Sequence, residues 1–579
     1  MPQRIVVVGA VAAGPKVACR ARRLLPDAHI TLIDQDDLIS YGGCGIPYYV
    51  SGDVTDEKEL RETSFHVLRD ARFFRDAKGI DDVRILTRVT AVDRKEKQVH
   101  IQDVQTGETG VLPYDKLVLA TGSRPNVLPV EGRDLDGVFT ISSLHKAIAI
   151  KERIARGQVE KAVVIGGGAI GIEMAEALTD LWGVETTIIE FMPQVLPRLV
   201  DRTLARMVEH HLREHGVQVF TGEGAQRIEG DGGRVRRVVT PNRTLEADLV
   251  IMSAGVRPRG ELAREAGLLC SPMGAIVVNR RMQTSDPDIY AAGDCVETLH
   301  LVTGKKAYAP LGSVANRQGR VVADNLAGIP STFDGVVGTF IMKVFDICVG
   351  ATGLSTEVAR AEGFDAAEGM AVMSDRAHFF PTQALMFLQM VADRRSRRVL
   401  GVQGVGAMGD GLMARIDAAA ALLPRRPTVD DFGTMELAYA PPFSTAVDVL
   451  NTAANILDNV VSGRIATVEM AEFLDWMDDP ARHPEWLVLD LRHPREAEPF
   501  LKRFPDRWMN IPYDEVRPRR DEVPRDRRLI LVCNAGTRSY EIQRFLVTIG
   551  IDNTLVLPGA LNVARRLGPA WWPEGTAGD

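Results

Sequence analysis

The chain contains 579 residues with a formal net charge of -8; 45% of the residues are hydrophobic and 25% are charged. These values are ordinary for a globular protein and exclude disordered, collagen-like and disulfide-stapled architectures. The acidic balance argues against nucleic-acid and anionic-membrane partners, and the absence of an apolar stretch of about 18 residues argues against a membrane span. The cysteines form no Cys-x-x-Cys or His/Cys cluster, so the sequence predicts no metal site and free thiols in a reducing, cytoplasmic setting.

The chain begins with an apolar run that enters a glycine-rich turn, RIVVVGAVAAG at 4–14. Such a run can be a short signal peptide or a buried strand before a tight turn. The similar segment KAVVIGGGAIG at 161–171 favours the strand, because a signal peptide does not occur inside a chain. A second pair also repeats, DKLVLATGSRP at 115–125 and DLVIMSAGVRP at 248–258. The sequence therefore predicts two copies of one strand–turn–helix–strand unit.

Each copy has the pattern of a dinucleotide-binding turn. The first glycine permits the tight turn, later glycines let a pyrophosphate approach the backbone, and an acid ending the next strand accepts bonds from ribose hydroxyls. The first copy contains Gly9, Gly14 and Asp34, with Val11 at the middle glycine position. The second copy is complete, with Gly166, Gly168, Gly171 and Glu190.

A third motif, YAAGDC at 290–295, places Asp294 after an apolar strand, where a carboxylate can bind a polyol chain. Together these motifs make residues 1–447 resemble the flavoprotein disulfide reductases with two dinucleotide-binding domains. The resemblance implies that FAD binds the first copy and that NAD(P)H binds the second. The residues expected at the flavin are Gly9, Gly14, Asp34, Thr121, Gly122 and Asp294.

The acid of the second copy predicts the preferred nicotinamide dinucleotide. Glu190 places an anion where a ribose 2′-hydroxyl would lie, and the next residues, Phe191 and Met192, offer no positive charge to a 2′-phosphate. A charged hydrogen bond to the hydroxyl contributes about 1.5–3 kcal/mol. The sequence therefore favours NADH over NADPH, without excluding NADPH.

The segment SYGGCGIPYYV at 40–50 holds the predicted redox cysteine, Cys44. Pro47 suits the first turn of a helix, and a thiol near a helix N-terminus has a lowered pKa, so we expect a reactive Cys44. Glutathione-reductase-like members of the family carry a second cysteine where this chain has Tyr49. The match is therefore to the single-cysteine branch, which holds coenzyme A disulfide reductases, coenzyme A persulfide reductases, NADH oxidases and NADH peroxidases.

Within this branch, the first glycine loop resembles that of the coenzyme A-dependent members. Oxidases and peroxidases usually carry a histidine in this loop, and residues 9–14 contain none. The resemblance implies coenzyme A as a substrate component and Ser40, at a family position beside the cysteine, as a substrate-binding residue. It also implies that Tyr439, in LAYAPPFST, reaches the active site of the other subunit of a homodimer. The alternative for Tyr439 is an ordinary interface aromatic.

Two further positions are expected on the substrate side. Phe380 stands where relatives carry a tyrosine, so Tyr439 or water must supply the proton that a hydroxyl there would donate. Arg22, with its neighbours Arg20 and Arg23 on the first helix, is expected to bind phosphate groups or to form a solvated basic face.

The C-terminal region continues after a predicted linker helix with two strand-like runs, WLVLDLR and RLILVC. The second run ends at Cys533, followed by a small-residue loop, Arg538 and an amphipathic helix. Such a loop directs backbone N–H groups at an anion and would stabilise a thiolate or persulfide. The region 466–579 resembles rhodanese sulfurtransferases, whose Asp-x-Arg strand matches Asp490. The resemblance implies that Asp490 lies on the substrate side of this domain. A catalytically inactive domain used for docking is the alternative.

The sequence thus predicts an α/β fold with two Rossmann-like dinucleotide-binding domains, an α+β dimerisation domain and a C-terminal α/β rhodanese domain. The predicted ranges are 1–150 plus 248–330 for FAD, 151–247 for NAD(P)H, 331–447 for dimerisation, 448–465 for the linker helix and 466–579 for rhodanese. The predicted activity is NADH-dependent reduction of a persulfide, a polysulfide or coenzyme A disulfide through Cys44, with Cys533 supplying sulfur. An NADH oxidase with a vestigial rhodanese and a non-enzymatic sulfur relay are the alternatives.

Overall fold

The computed structural model describes residues 2–573, so the end of the predicted rhodanese range, 574–579, lies outside the described part. The chain forms two compact units, one from residues of 1–193 and 216–336, the other from residues of 194–215 and 337–579. No helix among residues 2–573 is long and apolar enough to cross a bilayer.

Residues 2–336 contain twenty strands and seven of the α-helices. The strands are β1 (Arg4–Val8), β2 (His29–Ile33), β3 (Asp82–Arg84), β4 (Thr87–Asp93), β5 (Gln98–Asp103), β6 (Thr109–Pro113), β7 (Lys116–Leu119), β8 (Ser123–Pro125), β9 (Val138–Thr140), β10 (Lys161–Ile165), β11 (Glu185–Glu190), β12 (Gln218–Thr221), β13 (Arg227–Asp231), β14 (Arg234–Val239), β15 (Thr244–Glu246), β16 (Leu249–Met252), β17 (Val256–Pro258), β18 (Ile289–Ala291), β19 (Thr298–Leu299) and β20 (Lys306–Ala307). The helices are α1 (Ala13–Leu24), α2 (Ile46–Ser51), α3 (Leu144–Ala155), α4 (Ala169–Thr179), α5 (Arg202–Glu214), α6 (Glu261–Glu265) and α7 (Gly312–Leu326).

Two parallel five-stranded sheets organise the first unit. Their strand orders are β18-β7-β1-β2-β3 and β12-β11-β10-β16-β9. The central strands, such as β1 and β10, are almost continuous runs of buried Val and Ile, as expected of parallel strands covered on both faces. The predicted pair of α/β copies is therefore confirmed, one copy for each sheet.

The sheets do not follow the predicted boundaries at 150 and 248. β9 and β16 pair with each other, and β16 pairs with β10, so both belong to the second sheet. The predicted FAD-binding range, 1–150 plus 248–330, assigned both strands to the first. The repeat itself places β16 correctly, because DLVIMSAGVRP corresponds to DKLVLATGSRP, whose strand β7 pairs with β1 in the first sheet. β9 belongs to no repeated motif, so no sequence pattern indicates its sheet.

The second unit contains α5 and the remaining elements. Its strands are β21 (Phe340–Val344), β22 (Ile347–Gly353), β23 (Ala366–Ser374), β24 (Leu385–Asp393), β25 (Val399–Ala407), β26 (Trp486–Asp490), β27 (Trp508–Asn510), β28 (Arg528–Val532) and β29 (Thr554–Val556). Its other helices are α8 (Thr356–Ala361), α9 (Asp410–Leu422), α10 (Val429–Gly433), α11 (Val449–Val461), α12 (Met470–Asp478), α13 (Pro494–Arg503), α14 (Thr537–Thr548) and α15 (Ala560–Arg566). An antiparallel sheet, β21-β22-β25-β24-β23, is followed by a parallel one, β27-β26-β28-β29.

The predicted linker helix is α11, and it packs on the antiparallel sheet. Asp448 caps its start, with the side chain accepting the Leu450 N–H at 2.9 Å. A Cβ on Gly369 of β23 would lie 2.9 Å from the backbone nitrogen of Leu457, so glycine allows the helix to approach the strand closely. This helix is therefore a packed element of the second unit.

Candidate active site

The first glycine turn joins β1 to α1. Gly9 has a φ of 106°, in the left-handed region, and a Cβ there would lie 2.1 Å from the carbonyl oxygen of Ala120. A Cβ on Gly14 would lie 1.8 Å from the carbonyl oxygen of Gly9. Both positions require glycine, the first for the turn and the second for close packing of α1 against it.

Asp34, which follows β2, is tied to the same turn. Its Oδ2 accepts the Ala10 N–H at 2.6 Å and its Oδ1 accepts the Asp36 N–H at 3.0 Å. Burial raises the pKa of Asp34, and these backbone donors oppose the rise. Each oxygen keeps a further lone pair, so the carboxylate can also accept from ribose hydroxyls.

Asp294 follows β18, the strand that pairs with β7. Its Oδ2 accepts the Ser123 hydroxyl at 3.1 Å, and its backbone carbonyl accepts the Tyr308 hydroxyl at 2.9 Å. Burial raises the pKa of Asp294. After β7, Thr121 donates its hydroxyl to a backbone carbonyl at 2.6 Å, and Gly122 adopts a φ of 71°. The sheet thus brings these predicted flavin-side residues to adjacent strand ends.

The second glycine turn, between β10 and α4, repeats this construction. Gly166 has a φ of 113°, and a Cβ there would lie 2.4 Å from the carbonyl oxygen of Ser253. A Cβ on Gly171 would lie 1.9 Å from the carbonyl oxygen of Gly166. A Cβ on Gly168, in contrast, would meet nothing within 4 Å. Glycine is therefore not required for packing at position 168, and the absence of a side chain leaves space for a pyrophosphate beside the backbone of the turn.

Glu190 ends β11 and is buried beside this turn. Its Oε2 accepts the Gly167 N–H at 2.6 Å and its Oε1 accepts the Met192 N–H at 2.7 Å. The arrangement matches that of Asp34 at the first turn. Both turns fit a dinucleotide, since each combines a helix N-terminus, a close glycine backbone and a held carboxylate with spare acceptor capacity.

Cys44 lies in a 3-10 turn, Gly43–Gly45, directly before α2. The residue is exposed as a whole. The pKa of its thiol is nevertheless raised, first by partial burial of the sulfur and then by the negative charges of Glu173 and Asp294. The predicted lowering of this pKa is wrong, because α2 has only six residues and desolvation and two carboxylates outweigh its dipole.

Glu173, on α4, lies in a narrow crevice between α2 and α4 that Tyr48 and Glu176 also line. Burial, followed by the charge of Glu176, raises the pKa of Glu173 to about 7. Sequence reasoning missed this residue. Its signal was a pair of acids, Glu173 and Glu176, in a mostly apolar helix that begins at the second glycine turn.

Ser40 and Arg22 are placed differently from the expectation of direct substrate contact. Ser40 is buried, and its backbone N–H donates to the carbonyl of Ala10 at 2.8 Å, so it braces the first glycine turn. Arg22 forms an ion pair with Asp81 and donates to the carbonyl of Pro26 at 2.7 Å. The structure therefore engages both residues in internal contacts.

Of the two neighbouring arginines on α1, Arg20 is largely buried and Arg23 is exposed. Arg20 lies 2.5 Å from a carboxylate oxygen of Asp324, with both side chains largely buried. Arg20 and Arg22 are thus paired with carboxylates and Arg23 is open to solvent, and a role of these arginines at a phosphate stays a prediction.

In the second unit, the segments carrying Tyr439 and Phe380 lie side by side, with the Ala377 N–H donating to the carbonyl of Pro441 at 3.2 Å. Phe380 is half-buried, whereas Tyr439 is 53% exposed. Two more aromatics of these segments are exposed, Phe379 at 67% and Phe443 at 75%. These segments therefore present an unusually apolar surface for a protein exterior.

Cys533 follows β28, and its loop leads into α14. The Gly536 N–H points at the Cys533 sulfur with an N···S distance of 3.0 Å, and Gly536 has a φ of 102°. The Leu561 N–H donates to the carbonyl of Cys533 at 3.1 Å, which ties the loop to α15. Arg538, in the first turn of α14, is half-buried. One backbone donor therefore faces the sulfur, and the wider cradle of N–H groups stays a prediction.

Asp490 does not have the predicted role of contacting substrate. It is fully buried, and its carboxylate lies 2.7 Å from Arg492 and accepts the Trp508 ring N–H at 3.1 Å. The carboxylate of Asp490 is therefore occupied by the ion pair with Arg492 and the hydrogen bond from Trp508. Asp490 therefore anchors β26 beside the strand that carries Cys533.

A family profile described as pyridine nucleotide-disulphide oxidoreductase matches residues 3–319, and a profile for the dimerisation domain of the same family matches residues 339–450. The chain belongs to this family. Among curated members, the NAD(P)H sulfur oxidoreductase (CoA-dependent) of Pyrococcus abyssi is 38% identical over 453 residues, which cover 78% of this chain and 98% of that protein.

Two solved structures of the family extend the similarity over nearly the whole chain. The NAD-dependent persulfide reductase from A. fulgidus is 39% identical, with a TM-score of 0.91 over 97% of this chain and 100% of that one. Reduced Bacillus anthracis CoADR-RHD is 32% identical, with a TM-score of 0.88 over 98% of this chain and 99% of that one. These comparisons confirm the predicted family and the α/β fold class.

Proposed function

We propose that this protein is an FAD-dependent NADH oxidoreductase that reduces sulfur–sulfur bonds through Cys44. The observation that carries the proposal is an exposed Cys44 with a buried Tyr49 in place of a second cysteine, in a chain similar along 97% of its length to an NAD-dependent persulfide reductase. With no cysteine at that position to resolve it, Cys44 must itself attack the substrate and retain one half of it as a mixed disulfide or persulfide.

The two glycine turns would hold the two dinucleotides. FAD would lie at the first turn, against Gly9, Gly14, Asp34, Thr121, Gly122 and Asp294. NADH would lie at the second turn, against Gly166, Gly168, Gly171 and Glu190. Bound FAD supplies a two-electron carrier between NADH and the sulfur centre. Glu190 selects NADH, because its carboxylate can accept from a 2′-hydroxyl and repels a 2′-phosphate.

The overall reaction with a persulfide balances as NADH plus H⁺ plus RSSH giving NAD⁺, RSH and H₂S. Cys44 acts as a thiolate that attacks one sulfur of the substrate and expels the other as a thiolate. The expelled thiolate takes up a proton, which Tyr439 of the second subunit or water supplies, since Phe380 has no hydroxyl. The raised pKa of Cys44 lowers its thiolate fraction, and protonation of Glu173 or a positive charge near the sulfur would increase that fraction.

Coenzyme A persulfide, coenzyme A disulfide and polysulfide are the proposed substrates. The CoA dependence in the name of the Pyrococcus abyssi relative supports coenzyme A as the carrier. The internal contacts of Arg22 favour exposed Arg23 as the more available phosphate partner on α1.

The proposed assembly is a homodimer. The match of residues 339–450 to a dimerisation domain and the exposed aromatics Phe379, Tyr439 and Phe443 support this assembly. An interface there would remove those rings from water and bring Tyr439 to the partner's site.

The proposed C-terminal activity is that of a rhodanese sulfurtransferase. Cys533 would carry a persulfide, which the Gly536 N–H and the other free N–H groups at the start of α14 would stabilise. Arg538 would add a positive charge. Sulfur from Cys533 would then pass to Cys44, directly or on coenzyme A.

Steady-state NADH oxidation with a panel of acceptors tests the proposal. The panel comprises coenzyme A persulfide, polysulfide, coenzyme A disulfide and oxygen, each tried with the full-length FAD-loaded protein. Turnover with a sulfur acceptor should exceed turnover with oxygen by a wide margin. Rapid oxygen consumption with no response to sulfur acceptors would identify an NADH oxidase, and negligible turnover with every acceptor would support a non-enzymatic relay.

A further inference from the structure

Three potential metal ligands converge at the end of α5, in the second unit. His211 and His215 lie one helical turn apart, and Asp346 lies in the turn between β21 and β22. The Nε2 atom of His211 is 2.8 Å from Asp346 Oδ1, and the Nε2 atom of His215 is 3.7 Å from the same oxygen. One ligand atom from each residue lies within 4.8 Å of the other two.

The hydrogen bond of His215 fixes its tautomer. Its Nδ1 lies 2.9 Å from the backbone carbonyl of His211. A carbonyl oxygen only accepts, so Nδ1 carries the proton and Nε2 presents its lone pair toward Asp346. A backbone bond to the remote ring nitrogen is the usual support of a metal-binding histidine.

The Nε2 atom of His211 is buried and has no hydrogen-bond partner among the described residues. The residue is only 6% exposed. Asp346 Oδ1 lies 2.8 Å from this nitrogen without forming a hydrogen bond of standard geometry. A buried ring nitrogen aimed at a carboxylate without bonding to it is better satisfied by a cation between the two groups.

The turn that carries Asp346 is held against the helix. Phe345, which has a φ of 53°, stacks on the ring of His215 with 4.3 Å between ring centres. The side chain of Asp346 is 78% exposed, so one side of the cluster is open to water. The cluster therefore combines fixed imidazoles with a carboxylate that can adjust.

We propose that His211, His215 and Asp346 bind a divalent transition-metal cation, with Zn²⁺ as the best match and a water in the fourth position. Two imidazoles and a carboxylate suit Zn²⁺, and tetrahedral ligands with bonds of about 2.0–2.1 Å lie roughly 3.3 Å apart. The measured separations of 2.8 and 3.7 Å lie on either side of that value. Bound metal would clamp the end of α5 to the β21–β22 turn and stabilise the second unit.

Equilibrium dialysis against Zn²⁺ tests this site in the full-length, FAD-loaded protein after chelator treatment. All proteins carry Cys44→Ser, which removes an exposed thiol that also binds zinc. The parent should bind one zinc more per chain than either His215→Gln or Asp346→Asn, and its affinity should be higher by more than about a hundredfold. His66→Gln, which replaces an exposed histidine elsewhere, should bind as the parent does.

Thermal unfolding gives a second readout that does not depend on activity. Zinc should raise the unfolding midpoint of the parent and of His66→Gln, and leave the midpoints of His215→Gln and Asp346→Asn unchanged. Both ligand variants replace partly exposed side chains and should fold. The proposal is overturned if the parent binds no zinc, or if the ligand variants bind and respond to zinc as the parent does.

Discussion

Partial burial and then the negative charge of Glu173, on α4, raise the pKa of the Cys44 thiol, which precedes α2. Glu173 itself has a pKa raised to about 7 by burial and by Glu176. Above pH 7 the carboxylate is mostly ionised and opposes formation of the Cys44 thiolate. Below pH 7 it is mostly protonated and the opposition is relieved. The protonation of Glu173 is thus coupled to the reactivity of Cys44.

Replacing Glu173 with Gln should therefore make Cys44 more reactive. At pH 7.5 we expect alkylation of Cys44 in the reduced protein to accelerate about two- to tenfold, because the thiolate fraction rises tenfold for each unit by which the pKa falls. Iodoacetamide labelling followed by peptide mapping measures this rate. Glu173→Asp keeps the charge and should stay close to wild type. An unchanged or slower rate in Glu173→Gln would contradict the coupling.

The discrimination between NADH and NADPH should depend on Glu190. We expect Glu190→Gln to lower kcat/KM for NADH by roughly 10–100-fold, the value of a charged hydrogen bond, and to affect NADPH much less. Glu185→Gln is a matched control, since it changes an exposed acid at the other end of the same strand. A wild-type preference for NADPH, or an equal loss with both dinucleotides, would show that Glu190 does not select the cofactor.

Mixed dimers test whether Tyr439 acts in the partner's site. Tyr439→Phe homodimers should be strongly impaired with sulfur substrates, because the proton donor is lost. A dimer of one Cys44→Ser subunit and one Tyr439→Phe subunit should keep about half of the wild-type rate, because one of its sites has both groups if Tyr439 acts in trans. Reassembled wild-type dimers are the control. Mixed dimers as inactive as their parents would place Tyr439 in its own subunit's site.

Cys533→Ser should separate the two proposed activities. It should abolish sulfurtransferase activity, slow the reduction of bulky protein or polysulfide donors, and leave reduction of small persulfides close to wild type. Tethering two sites in one chain raises their effective concentration, to millimolar for short flexible links, which helps donors that diffuse poorly. Cys270→Ser is the control.

The outcome with different donors decides the role of Cys533. If the rate of reduction is unchanged with every sulfur donor, the C-terminal domain takes no part in the reduction. Equal losses with every donor, the smallest included, would make Cys533 an obligatory relay and remove the direct route to Cys44.

The glycine turns were predictable from the sequence because their geometry is local. A φ above 90° at Gly9 and Gly166 excludes most other residues. The glycines that the turns require can therefore be recognised in the sequence itself. Asp34 and Glu190 follow at a fixed distance along the next strand. The same local character made the loop from Cys533 to Arg538 recognisable.

Features that depend on distant neighbours could not be predicted in this way. The pKa of Cys44 depends on Glu173 and Asp294, which other parts of the chain bring close. Asp490 matched a motif, but only the packing of Trp508 and Arg492 around it revealed an internal anchor. The sheet membership of β9 likewise depends on pairing that no local pattern records.

The Cys44→Ser variant tests the central proposal most directly. Rapid mixing of this full-length, FAD-loaded variant with NADH should reduce the flavin at nearly the wild-type rate, because the dinucleotide turns are untouched. Steady-state reduction of coenzyme A persulfide should fall to background, because the attacking sulfur is gone. Persulfide turnover that persists in Cys44→Ser would contradict the account and place the sulfur chemistry elsewhere in the protein.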